Sequence, residues 1–180
     1  MNGKAPGARR ALLDAFAELA LSRRYQEISV GLLTRQANVA RSTFYYHFKV
    51  KDDLLVQNLA PMISVLASLP AAHEVPADLA DWVAHIWEHR ARAGRIFDGP
   101  AGRKLADALT LELRSTLGAM DIRASPLLAD QLAGATLSLL RAWTAGRGVA
   151  TPSEIATMLW SGARRLAEVK QNSRVPPTER

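Results

Sequence analysis

Between Ser29 and Lys51 the chain gathers side chains that make directed hydrogen bonds: Ser29, Arg41, Ser42, Thr43, Tyr45, Tyr46, His47 and Lys51. The mixture of hydroxyls, a guanidinium, an imidazole and an ammonium suits a nucleic-acid duplex. A duplex groove admits a short helix, takes hydroxyl and ammonium donors on its phosphate rims, and presents base edges to longer side chains. Ser29, Thr43, Tyr45 and Lys51 supply donors for phosphates. Arg41, Ser42, Tyr46 and His47 are the candidate readers, and Arg41 can fork onto a guanine edge. Taken singly, Tyr45 and Tyr46 read equally well as half-buried aromatics and Lys51 as a solvated charge; it is their joint spacing that points to DNA.

Other candidate chemistry is thinner. Asp81, His85 and His89 stand at i, i+4 and i+8, one stripe of a helix that could hold a metal. Ile86 occupies the place of the base in a His-Glu-x-x-His helix, and no further ligand stands out, so the histidines read as surface or ligand-pocket residues and no metal is expected. Gly146-Arg147-Gly148 follows a helix rather than a strand, and Gly99-Pro100-Ala101-Gly102-Arg103-Lys104 lacks the spacing and hydroxyl of a phosphate loop. No Gly-x-Ser-x-Gly elbow occurs. The expectation is a non-enzyme without a cofactor.

The elements that must position these residues are helical throughout, so the expected fold class is all-α with about nine helices. Leu12, Ala15, Phe16 and Leu19 fall at i, i+3, i+4 and i+7 and predict a first helix over 8–23. Arg9 and Arg10 sit at its start, where the macrodipole disfavours cations, so another partner is expected to hold them. Ser29 caps a helix over 30–36 with Leu32 and Leu33 inward. Asn38 suits a left-handed turn over Val39, and a helix over 41–47 buries Phe44 and Phe48. A fourth helix opens at Lys51-Asp52-Asp53 and is expected to run to 68. Helices follow over 78–93, 101–118, 126–145, with Ser125 as cap and Pro126 at its first position, and 152–170, opened by a Thr151-x-x-Glu154 capping box.

Composition fits this reading. The 180 residues are 48% hydrophobic and 22% charged, as in globular proteins, and include no cysteine, which excludes disulfides and thiolate metal sites. Residues 1–55 hold nine Lys/Arg against five Asp/Glu, most of the net charge of +6, which marks the first third for a polyanion. The start carries no apolar leader core, and the most apolar run, Leu127 to Leu140, is too short and polar to span a membrane, so a cytoplasmic location is expected.

The segment Ile28 to Leu55 resembles the DNA-binding head of TetR-family regulators. The resemblance rests on Ser29 opening the second helix, the Ala37-Asn38-Val39-Ala40 turn, Thr43-Phe44-Tyr45-Tyr46-His47-Phe48, and Lys51 before Asp52-Asp53. Two residues depart from the pattern: Ala40 replaces the usual capping Ser, and Thr34 a small Ala. The resemblance implies a three-helix helix-turn-helix head over 1–50, a ligand-binding and dimerisation domain over 51–171, and a tail over 172–180. It implies an Ω-shaped homodimer on a pseudo-palindromic operator, acting as a repressor released by a small molecule. Residues 126–170 are similar to the family's dimerisation helix pair, 126–145 with 152–170; the first of these is apolar on nearly all sides, with Ala133, Gly134 and Ala135 allowing close approach. All four tryptophans, Trp82, Trp87, Trp143 and Trp160, lie in the C-terminal part and read as core. The family's aromatic-lined pockets add Trp82, His85, Trp87 and His89 as candidate ligand-binding residues. Two alternatives stay open: an effector-free architectural or activating DNA-binding protein, and a helical metal-binding enzyme built on Asp81, His85 and His89.

Overall fold

The computed structural model describes residues 7–122 and 126–172. Among these residues the chain forms ten α-helices, one 3-10 turn and no strand, and it divides into two compact units at Ala60/Pro61. Ser125, expected as a cap, and residues 173–180 of the expected tail lie outside the described residues, whereas Asn172 ends the last helix.

The first unit starts with α1 (Gly7–Ser22), whose stripe Leu12, Ala15, Phe16 and Leu19 is buried as its spacing predicts. The two arginines at its start have side-chain partners: Arg9 donates to Gln57 at 2.6 Å, and Arg10 pairs with Asp14 at 2.8 Å. After a 3-10 turn at Tyr25–Glu27 comes α2 (Val30–Gln36), where the Ser29 hydroxyl accepts the Leu32 amide at 3.2 Å. Leu33 is fully buried but Leu32 only half-buried, because seven residues present barely one inward position per turn. Asn38, at φ 50°, reverses the chain in the left-handed region, and the amide of Val39 returns to the carbonyl of Thr34 at 3.0 Å. Then come α3 (Arg41–His47) and α4 (Lys51–Asn58). Leu54 and Leu55 of α4 are buried within this unit, which therefore extends ten residues beyond the expected boundary at 50.

The helix expected over 51–68 is broken at Leu59, giving α4 and α5 (Ala60–Ser68). Pro61 is the cause: it has no N–H for the carbonyl of Gln57, and its ring would press on that carbonyl. The helix expected over 78–93 is likewise two, α6 (Ala77–Glu88) and α7 (Arg90–Asp98), separated at His89 with φ −110° and ψ 21°. Each break turns one expected helix into two, so the eight ranges expected from the sequence become ten helices among the described residues.

In the second unit α8 (Pro100–Ala119) aligns Leu105, Leu109, Leu113 and Leu117, all within 2% of full burial, against α9 (Pro126–Thr144). The last helix, α10 (Pro152–Asn172), packs on α6 and α9, and its Thr151/Glu154 capping box is formed, with the Thr151 amide on the Glu154 carboxylate at 2.7 Å. Trp143 donates to the carbonyl of Ala150 at 2.9 Å and Trp160 to that of Ala72 at 3.0 Å, so each indole stitches a loop to a helix. The expectation that α9 is apolar all round needs correction. Its outward positions Asp130, Gln131, Gly134, Ala135, Ser138 and Arg141 are polar or small, with Leu127 the large apolar exception at 74% exposure. On α10 the buried stripe is Ile155, Ala156, Leu159, Ala163 and Ala167; Met158, Gly162 and Val169 lie on a second, exposed face.

Gly102, in the first turn of α8, has a structural requirement. A methyl group there would lie 2.2 Å from the carbonyl oxygen of Phe97, which accepts Arg141 at 2.9 Å, while Arg141 also pairs with Asp98 at 3.1 Å. Gly102→Ala is expected to force α7 and α8 apart and cost about 1–3 kcal/mol. Chemical denaturation followed by tryptophan emission would measure this, and an unchanged midpoint would contradict the close approach.

Candidate nucleic-acid interface

The α2–turn–α3 arrangement is held from beneath. Phe44 is fully buried and Phe48 3% exposed, their rings 5.8 Å apart, and Ile28, Leu33 and Leu54 of the same unit are fully buried as well. Since α3 has only seven residues, this burial rather than its own hydrogen bonds fixes it. Its start has no side-chain cap: Ala40 offers only its carbonyl, which accepts the amides of Thr43 at 3.0 Å and Phe44 at 3.3 Å. The earlier amides of α3 receive no bond from a capping side chain. Thr34 bonds back to the Gly31 carbonyl at 3.3 Å, which accommodates its hydroxyl at a buried position.

With the phenylalanines facing inward, the candidate contact residues of α3 face outward. Arg41 and Ser42 are exposed, Tyr45 is 50% and Tyr46 60% exposed, and Thr43 and His47 are half-buried. All five rings from Phe44 to Phe48 are thus anchored by burial or braced by edge contacts, Tyr45 against Phe44 at 5.3 Å and Tyr46 against His47 at 4.9 Å. The Arg41 guanidinium lies along Tyr45, its Nη2 3.4 Å from the phenol oxygen and its carbon 5.7 Å from the ring centroid. Both are exposed, so this i, i+4 pair parts at little cost. Ser29 is exposed too, at the other helix start.

Lys51 has a different setting. Its ammonium is half-buried, donates to the carbonyls of Tyr25 at 2.8 Å and Ile28 at 3.0 Å, and lies 4.3 Å from the Tyr25 ring centroid. Burial lowers its pKa from the ordinary lysine value, with the Asp52 carboxylate opposing. The Tyr25 hydroxyl donates to Asp52, and burial followed by this carboxylate raises the phenol pKa well above normal. Lys51 therefore ties the 3-10 turn to the start of α4 and keeps at most one of its three N–H groups for a phosphate. The Asp53 carboxylate caps the same start, accepting the amides of Lys49 at 2.9 Å and Val50 at 3.0 Å. The Tyr25–Asp52 partner was not foreseen; an acid directly after Lys51 was the available signal.

Of the candidate ligand residues of the second unit, Trp82, His85 and His89 follow one another in ring contact, while Trp87 stacks on a different partner. Trp87 stacks on Trp143 at 4.6 Å and 20°, with the Arg90 guanidinium 4.8 Å from its centroid, which is a packing role. Trp82 meets His85 edge-on at 6.3 Å. A shallow depression of about 310 Å³ is lined by Glu88, His89, Arg90, Ala91 and Arg92, and His89 alone among the four expected residues contributes to it. The potential metal-ligand group is His85, Glu88 and His89, with Asp81 replaced by Glu88, because i, i+3 and i+4 bring ligand atoms together where i+8 does not. Among the described residues no helix is long and apolar enough to cross a membrane.

Residues 12–57 match the family model for bacterial regulatory proteins of the tetR family. No curated protein matches the chain. Among solved structures the chain is similar to a TetR transcriptional regulator from Rhodococcus sp. RHA1, at 18% identity over 93% of this chain and 98% of that one, TM-score 0.56. It is also similar to FadR of Thermus thermophilus, a TetR-family repressor solved with lauroyl-CoA, at 20% identity, 96% and 99% coverage and TM-score 0.52. AlkX of Dietzia sp. strain DQ12-45-1b, a TetR-family repressor implicated in n-alkane biodegradation, gives 16%, 96% and 98%, and 0.53.

Substitution separates anchoring from contact at Lys51. Lys51→Met keeps the stem but removes the ammonium from the carbonyls of Tyr25 and Ile28, the first of which retains only the Ile28 amide at 3.2 Å, so thermal unfolding is expected to report a loss of about 1–2 kcal/mol. Unaltered stability together with weaker DNA binding would return Lys51 to a purely phosphate-holding role.

Proposed function

We propose that this TetR-family DNA-binding transcription regulator works as a homodimeric repressor, reading a pseudo-palindromic operator through α3 and leaving it when a small molecule binds the second unit. The observation that carries the reading is the exposed row Arg41, Ser42, Tyr45 and Tyr46 on a helix whose opposite side is locked by Phe44 and Phe48. Arg41, Ser42, Tyr46 and His47 read bases; Ser29, Thr43 and Tyr45 hold phosphates, and Lys51 adds its remaining N–H.

Dimerisation is supported by what α9 and α10 leave uncovered. Met158 and Val169 are 51% and 63% exposed on α10, Leu127 is 74% exposed on α9, and Gly134, Ala135 and Gly162 allow close approach beside them. A two-fold four-helix contact through 126–145 and 152–170 would bury these positions, and it supplies the two heads that two half-sites require.

Release follows from linkage. A ligand that prefers the non-binding form of the dimer weakens operator affinity by the same factor by which operator weakens ligand affinity. The repressor sign and an apolar, acyl-type effector take their support from the repressor relatives, one of them solved with lauroyl-CoA.

Selection of a duplex from a random pool, followed by anisotropy titrations, tests the reading. Arg41→Ala is expected to cost about 1–3 kcal/mol on the selected duplex and little on random DNA, with relaxed preference at one base pair per half-site. Equal loss on both would make Arg41 a phosphate clamp. Tyr45→Phe is expected to weaken both duplexes by a similar amount, about 1–3 kcal/mol for a hydrogen bond to charged phosphate. Light scattering should give twice the 19.6 kDa chain mass, and a monomer would overturn the two-fold model.

A further inference from the structure

The α6–α7 break concentrates metal-binding chemistry that the DNA reading does not use. His85, Glu88 and His89 occupy i, i+3 and i+4, and one ligand atom from each lies within 4.8 Å of the others. The two imidazole rings are already 4.6 Å apart at 78°. Tetrahedral coordination at about 2.0–2.1 Å places donor atoms about 3.3 Å apart, so closure needs only side-chain rotation.

The backbone beneath this trio is held on both sides. Leu79, Val83 and Ile86 bury the inner face of α6, which packs on α10. The amide of His89 bonds to the His85 carbonyl at 3.2 Å, and its own carbonyl accepts Arg92 at 2.8 Å and Ala93 at 3.1 Å. His89 is thereby fixed by α6 through its N–H and by α7 through its C=O. Arg90, the nearest cation in sequence, donates to the Trp87 carbonyl at 3.4 Å and lies over the Trp87 ring. His85 and Glu88 are exposed and His89 half-buried beside the shallow depression, which leaves room for water to complete the coordination sphere.

We infer that His85, Glu88 and His89 bind one first-row divalent transition cation per chain, of the Zn²⁺, Ni²⁺ or Co²⁺ class. Two imidazoles with one carboxylate favour these borderline ions over Mg²⁺ and Ca²⁺, which require oxygen ligands. The ligands straddle the junction, Glu88 ending α6 and His89 standing in the break, so the cation bridges the end of one helix and the residue that starts the next. This site stands independently of DNA recognition.

The test is calorimetric titration of tag-free, chelator-treated full-length protein with zinc chloride and nickel chloride. One site per chain in the micromolar range is expected. His85→Ala, His89→Ala and Glu88→Gln are each expected to weaken it at least about tenfold, whereas Asp81→Asn leaves it unchanged and magnesium chloride gives no site. Circular dichroism checks that the variants fold, and the exposure of His85 and Glu88 predicts that they do. Nickel should also quench emission from Trp82, 6.3 Å from the His85 ring, and Trp82→Phe should reduce the quench without altering the calorimetry. No zinc or nickel site in the native chain, retained binding in a His85→Ala/His89→Ala double variant, or magnesium bound as tightly as zinc would overturn the assignment.

Discussion

Seven residues in a helix do not hold their shape in water, and α3 spends its first turn without a side-chain cap. What keeps it in one orientation is the burial of Phe44 and Phe48, four residues apart on one side of two turns. Every other property of the head follows from that constraint. With those rings inward, helical geometry leaves Arg41, Ser42, Tyr45 and Tyr46 no direction but outward, so the packing that orders the helix also aims it. An exposed pair of tyrosines, unfavourable as surface chemistry, becomes the price of presenting donors on a rigid rod.

The head is closed on its other flank by polar rather than apolar contacts. Tyr25 is pressed edge-on against Phe16 at 6.3 Å, its phenol on Asp52, while Lys51 takes the carbonyls of Tyr25 and Ile28. A 3-10 turn leaves carbonyls that no helix satisfies, and a lysine entering from the next element satisfies two of them together. The same residue type would serve a phosphate, which is why sequence alone assigns Lys51 to DNA: both roles require an ammonium near the start of α4, and only the packing distinguishes them.

That ambiguity marks the general limit of legibility here. Features set by one or two residues were readable: the α1 stripe, the Ser29 cap, the left-handed Asn38, the Thr151/Glu154 box and the inward phenylalanines. The outward position of Arg41, Ser42, Tyr45 and Tyr46 was readable because their exposure is the geometric complement of the inward phenylalanines. The break at Leu59 was legible too in principle, through Pro61, but the apolar run on both sides masked it. The break at His89 has no proline or glycine to announce it. The outward face of α10 could not be told from its buried one, because Met158 and Val169 keep the same helical period as the buried residues, and periodicity cannot say which of two apolar faces a neighbour covers. Glu88 escaped for a related reason: the stripe from Asp81 reads naturally in fours, and the closer ligand sits three residues from His85.

The distribution of aromatic side chains carries a practical consequence. All three tyrosines, Tyr25, Tyr45 and Tyr46, belong to the first unit, and all four tryptophans to the second. The two units therefore carry separate chromophores. Light absorbed at the red edge of the protein spectrum is taken up by indole alone and reports on the second unit, where the Trp87 and Trp143 rings are stacked. Phenol absorption reports on the head, where burial and the Asp52 carboxylate raise the pKa of Tyr25. Nature has in effect labelled each half of this chain with its own dye, so that one unlabelled sample can reveal whether the halves melt, tighten or loosen together.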